Sequence, residues 1–203
     1  MNTEKSRAMI FELLSSGMKS AWEKASIDLS GSEIYSFSLF AASGLRSIAC
    51  AVNTKRDLPG LVHKLNESEK ETLILLQDHP DLLKDYQRNR PDISLYAEVS
   101  ACEWAHFYTD LKEFDSIEHI VHEMWERSHD SSENVNIVEE LMPVVIKAIL
   151  DFRSSITESE DILLGLQFSD PDEVELDRMI QVSSSVNSEV WHLKVVKAWK
   201  QES

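Results

Sequence analysis

Five glycines and two cysteines are scattered through 203 residues, and each shortage closes off a class of chemistry. Singly placed glycines cannot build a phosphate cradle. No GxGxxG, Walker loop, GxSxG elbow or EF-hand loop is present, so nucleotide chemistry and serine hydrolysis lose their usual supports. Cys50 and Cys102 lack CxxC spacing and are too few for a disulfide scaffold, so both are expected as buried free thiols. The most apolar run, LMPVVIKAIL, is broken by Pro143 and Lys147 and falls short of the ~18 apolar residues that span a bilayer. The opening MNTEKSRAMIFELL has charged Glu4, Lys5 and Arg7 but no apolar h-region with a cleavage site. A cytoplasmic protein without membrane contact is the expectation. No internal repeat or low-complexity segment appears.

Basic residues are scarce in one half only. Residues 1–97 carry 13 acids and 12 bases, whereas residues 98–203 carry 23 acids and 8 bases. Between 98 and 142, 12 acids face only Lys112 and Arg127. Such a surface repels phosphate backbones, which excludes nucleic acid as the expected ligand and favours a basic protein.

What is present is a helix-rich composition, 42% hydrophobic and 28% charged, long enough to bury a core as one domain spanning 1–203. Ile10, Leu13, Leu14, Gly17, Ala21 and Ala25 form a helical stripe within 4–27. IYSFSLFAA and LRSIACAV flank Ser43-Gly44 and read as a hairpin near 33–53, with Tyr35, Phe37, Leu39 and Ala41 on its core face. LPGLVHKL and SEKETLILLQDH read as two helices, the second capped by Ser68 and Glu71 and ended by His79-Pro80. DISLYAEV alternates like a short strand at 92–99. Helices follow near 101–112, 115–128 and 134–155, then a central strand near 161–169, then helices near 171–181 and 186–201. The fold class expected is α+β: a helix-rich single domain with a small, largely antiparallel sheet against helices. Phe37, Leu39, Leu164, Leu166 and Leu14 are predicted to share one core.

Residues 118–129 read EHIVHEMWERSH. On a helix, His119, His122, Glu126 and His129 fall on one quarter of the circumference, while Ile117, Ile120, Val121, Met124 and Trp125 take the other side. The HExxH spacing is absent because position 126 is Glu, so no metal or other cofactor is expected. His119, His122 and Glu126 are the metal-binding alternative. Cys102 and His106 stand four apart and are the alternative nucleophile and base of a hydrolase. Lys84, Arg88 and Arg90 with Tyr86 form the one cationic patch, read as a solvated helix end. Trp191 and Trp199 form a packing stripe.

Taken in order, an opening helix, Tyr35-Ser36-Phe37, Val52-Asn53-Thr54, Glu103-Trp104, Phe168-Ser169-Asp170, Ser183 and Asn187 make the chain resemble the uncharacterised bacterial family catalogued as domain of unknown function 4303. Where that family carries an Arg and a Trp before the Glu-Trp pair, this chain has Tyr96, Ala97, Glu98 and Val99. The resemblance implies an α+β domain and supplies no catalytic residue. It also implies a setting, because small acidic bacterial proteins of this type often accompany secreted toxins. The resulting expectation is an immunity protein, not an enzyme, that binds a basic and possibly nuclease toxin through Glu113, Asp115, Glu118, Glu123 and Glu126. A regulatory or structural subunit is the other non-catalytic reading, and homo-oligomerisation stays open.

Overall fold

The computed structural model describes residues 3–130, 136–156 and 162–200. Helix α1 (Thr3–Asp28) leads into strands β1 (Ile34–Ala41) and β2 (Ile48–Thr54). Three helices follow: α2 (Leu58–Leu75), α3 (Pro80–Arg88) and α4 (Ile93–Val99). Then come β3 (His106–Tyr108), α5 (Lys112–Asp130), α6 (Ile137–Ser155), β4 (Leu163–Phe168), α7 (Glu173–Val186) and α8 (Glu189–Trp199). The sheet order is β3-β2-β1-β4. β1/β2 and β2/β3 pair antiparallel, but β1/β4 pair parallel. The α+β class therefore holds with a mixed sheet.

Alternation along the strands splits the core in two. Phe37, Leu39, Leu164, Leu166 and Leu14 do share one cluster, with buried residues from α1, α5, α6 and α7. The opposite face carries Leu163 against Leu95 and Val99 of α4 and Val195 and Ala198 of α8. Tyr35 departs from the face assigned to it. A register shift between Ile34 and Ser36 leaves Ile34 against the large core and turns Tyr35 towards α4 and α8. There its hydroxyl donates to the Glu98 carbonyl at 3.1 Å and its ring stacks on Trp191.

Gly17 sets the spacing of α1 and α5. A Cβ at this position would lie 2.8 Å from Phe114 Cε1 and 3.2 Å from Glu113 Cβ, so only a bare α-carbon permits the approach.

Five local readings are corrected. The strand near 161–169, expected to be central, is β4 at one edge of the sheet, paired parallel to β1; its near-continuous apolar run reflects cover by helices on both faces, which an edge strand can also have. Residues 93–99 are helical, not a strand: the Asp92 side chain accepts from Leu95 N at the helix start, and packing against both α2 and α8 buries Leu95, Ala97 and Val99 on more than one side. Burial around so much of the circumference hides the 3.6-residue period. The helix expected near 101–112 is instead a 3₁₀ turn (Ala101–Glu103) followed by edge strand β3. Trp104 leaves the helical region with ψ 153 and donates its indole N–H to Ala97 O at 3.2 Å. The two helices expected before Pro80 are one, α2, with Pro59 in its first turn where no donor is missed. α2 ends at Leu75, and Pro80 begins α3 rather than ending its predecessor. Finally, the β1/β2 connection is wider than a two-residue turn. It holds a 3₁₀ turn in which Gly44 and Leu45 both have positive φ, fixed by burial of Leu45 and by Trp125 Nε1 donating to Gly44 O at 3.2 Å.

Candidate functional site: the acidic helix and its groove

α5 buries Phe114, Ile117, Ile120, Val121 and Met124, which fixes what its other side presents. Asp115, His119, His122 and Glu126 are exposed, and Glu118 and Glu123 are half-buried at the margins. Glu113 lies apart from this set, half-buried where α5 meets Gly17 of α1.

The histidines are polar partners on this face. His119 Nε2 lies 3.3 Å from Glu123 Oε1 and His122 Nε2 lies 3.3 Å from Glu126 Oε1, with side-chain exposures of 75% and 71% for the two imidazoles. Each pairs with a single carboxylate one turn on. Among the described residues no group of three or more His, Cys, Asp or Glu side chains could hold a metal ion. The side chain of His129 lies outside the described residues.

Between the N-terminal half of α1 and the middle of α5 lies an open groove of about 750 Å³. Met9, Leu13 and Ile120 supply apolar lining; Lys5, Glu12, Asp115 and His119 supply polar edges. Met9 is 39% exposed, Leu13 half-buried and Ile120 6% exposed. A groove of this size accepts several side chains from another protein.

Cys102 and His106 have different partners. Cys102 is exposed, against expectation, because the 3₁₀ turn directs it outward. Its sulfur lies 3.0 Å from Ser100 Oγ and 3.7 Å from Tyr96 Oη, and burial above all pushes the Tyr96 phenol up to about 12. Cys50 is buried as expected, and burial raises its thiol well above the usual range. His106 Nε2 sits 3.0 Å from Asp57 Oδ2. Thr54 Oγ1 donates to the same carboxylate oxygen at 2.6 Å. The Thr54 hydrogen bond first, then that from His106, holds Asp57 below the usual carboxylate range against an opposing push from partial burial. This cluster fastens the start of α2 to β2 and β3.

Tyr35, Asn53, Trp104 and Asn187 hold the fold together. Asn187 Oδ1 accepts from Leu164 N at 2.9 Å and its Nδ2 donates to Leu164 O at 2.7 Å. It thereby satisfies the outer edge of β4 as a neighbouring strand would. Asn53 Nδ2 donates to Tyr35 Oη at 2.9 Å, and Trp104 closes the turn before β3. Trp191 and Trp199 are packing residues: Trp191 takes Lys194 over its face at 4.3 Å, and Trp199 meets Tyr96 edge-on. In the cationic patch, Arg90 is committed to the buried Glu69, with Nη2 to Oε2 at 2.8 Å, while Lys84 and Arg88 stay exposed on α3.

Two features escaped the sequence reading: the α1/α5 groove and an apolar tip on the α2–α3 hairpin. Met9 beside the α1 stripe was the available signal for the first. Ile74-Leu75 at a helix end was the signal for the second.

No known protein family, curated protein or solved structure matches the chain. Among the described residues no helix is long and apolar enough to cross a membrane.

Proposed function

We propose that this chain is an acidic protein-binding module that neutralises a basic toxin by covering its working surface. The observation that carries this reading is an apolar groove between α1 and α5 with Asp115 on its edge, on the helix that also presents Glu118, Glu123 and Glu126. Interfaces draw residence time from a few desolvated apolar anchors and encounter rate from complementary charge. Met9, Leu13 and Ile120 offer the first; Asp115, Glu118, Glu123 and Glu126 offer the second. A toxin with a cationic substrate groove is drawn to this face and loses access to its substrate. The expected likeness to domain of unknown function 4303 is the source of the toxin-associated setting in this proposal.

The test is co-expression with the toxin encoded by the neighbouring gene. Wild type restores growth. The triple reversal Glu118→Lys, Glu123→Lys, Glu126→Lys restores it less well at equal soluble expression. Equal protection by both proteins contradicts the assignment of this face.

A further inference from the structure

The hairpin formed by α2 and α3 leaves large apolar side chains in water. α2 rests on α4, and the Glu69–Arg90 ion pair ties α2 to the segment after α3. α3 itself buries no residue. At the turn end of the hairpin Ile74 is 63% exposed, Leu75 76% and Leu82 57%. Exposed apolar groups are common singly, but three within nine residues of chain, at the end of one helix and the start of the next, mark a contact surface.

Charge selects the occupant. Residues 58–90 hold six acids and five bases, a net of −1, on a chain whose net charge is −16. Two copies meeting through the acidic half repel one another; through this hairpin they do not. The order of charges on α3 goes further. Asp81, Lys84, Asp85 and Arg88 share one face at i, i+3, i+4 and i+7. If a second α3 runs antiparallel about a two-fold axis between positions 84 and 85, Asp81 meets the other copy's Arg88 and Lys84 meets its Asp85. The helix is complementary to itself under the symmetry that most homodimers use.

We propose that the α2–α3 hairpin is a homodimer interface, with antiparallel α3 helices pairing Asp81 with Arg88 and Lys84 with Asp85 and with Leu82, Ile74 and Leu75 as its apolar contacts. This does not depend on the toxin-binding reading, because it uses a different apolar surface.

Sedimentation velocity over a concentration series tests it. The full chain sediments as a dimer at high concentration. Leu75→Lys raises the dimer dissociation constant at least ~10-fold, with an unchanged circular dichroism spectrum because the side chain is exposed in the monomer. Arg88→Asp weakens the dimer by setting like charges opposite one another, and the double variant Asp81→Arg, Arg88→Asp restores it. A wild type that stays monomeric throughout overturns the proposal. So does a dimer indifferent to Leu75→Lys, or one that the double variant fails to restore. If the monomeric wild type instead loses toxin binding on Leu75→Lys, the tip belongs to the toxin and the homodimer is refuted.

Discussion

The α1/α5 groove and the α2–α3 tip both expose apolar side chains, yet they stand in opposite electrostatic settings. Glu12 and Asp115 border the groove on a helix pair whose α5 also carries Glu118, Glu123 and Glu126, whereas the hairpin alternates in sign and is close to neutral. Apolar area gives either surface a reason to be covered, and the surrounding charge decides by what. One chain can on this basis hold a basic partner on one face and its own copy on another.

Both surfaces rest on the same sheet, which supplies the most severe perturbation. Leu164 is 1% exposed at the centre of the large core, and Leu164→Ala is expected to cost ~2–5 kcal/mol. Chemical denaturation measures this, and both binding activities should fail together as the fold is lost.

A smaller change separates the two surfaces. Gly17→Val forces a side chain into the space of Phe114 Cε1 and is expected to cost ~1–3 kcal/mol through overpacking. It should move α1 away from α5, weakening toxin binding while the dimer dissociation constant stays unchanged. Equal loss of both would show that the surfaces are not independent.

Acid acts at the root of the hairpin. Because the folded-state pKa of Asp57 is depressed, its contribution is fully present above the ordinary carboxylate value of about 4 and is lost as pH falls from there through the lower folded value. Asp57→Asn should therefore flatten the acid limb of melting temperature against pH, with little effect at neutral pH beyond the loss of the charged partner of Thr54 and His106. An acid limb of unchanged slope would remove Asp57 from that role.

The smallest effect is expected from the pair of histidines that first suggest a metal. Replacing His119 and His122 with Ala should change stability by no more than ~0.5 kcal/mol, as for other exposed positions. Zinc retained after dialysis by the wild type, and lost by this variant, would contradict the reading of that face as a polar margin.

Sequence patterning revealed most of this architecture where each element has one buried face. α1 and α5 show clean periods, and their core residues follow directly. Patterning failed at α4, which is buried on several sides, and at Tyr35, where a bulge reverses the face. It failed again at β3, whose three residues are too few to show alternation. For the candidate site, the composition of α5 gave the acid and the outward side. It could not reveal that Glu113 lies at the crossing with Gly17, nor that α1 and α5 leave a groove, since both depend on the distance between two helices far apart in sequence.

The most direct measurement is the association rate with the product of the neighbouring gene at two salt concentrations, for wild type, for the Glu118→Lys, Glu123→Lys, Glu126→Lys triple variant and for Leu75→Lys. Wild type and Leu75→Lys should associate equally fast and slow alike as salt screens the field over ~8 Å. The triple variant should associate at least ~10-fold more slowly at low salt and lose most of the salt dependence. Absence of binding by the wild type, or rates indifferent to both salt and charge reversal, would contradict the assignment of the acidic face to a basic partner.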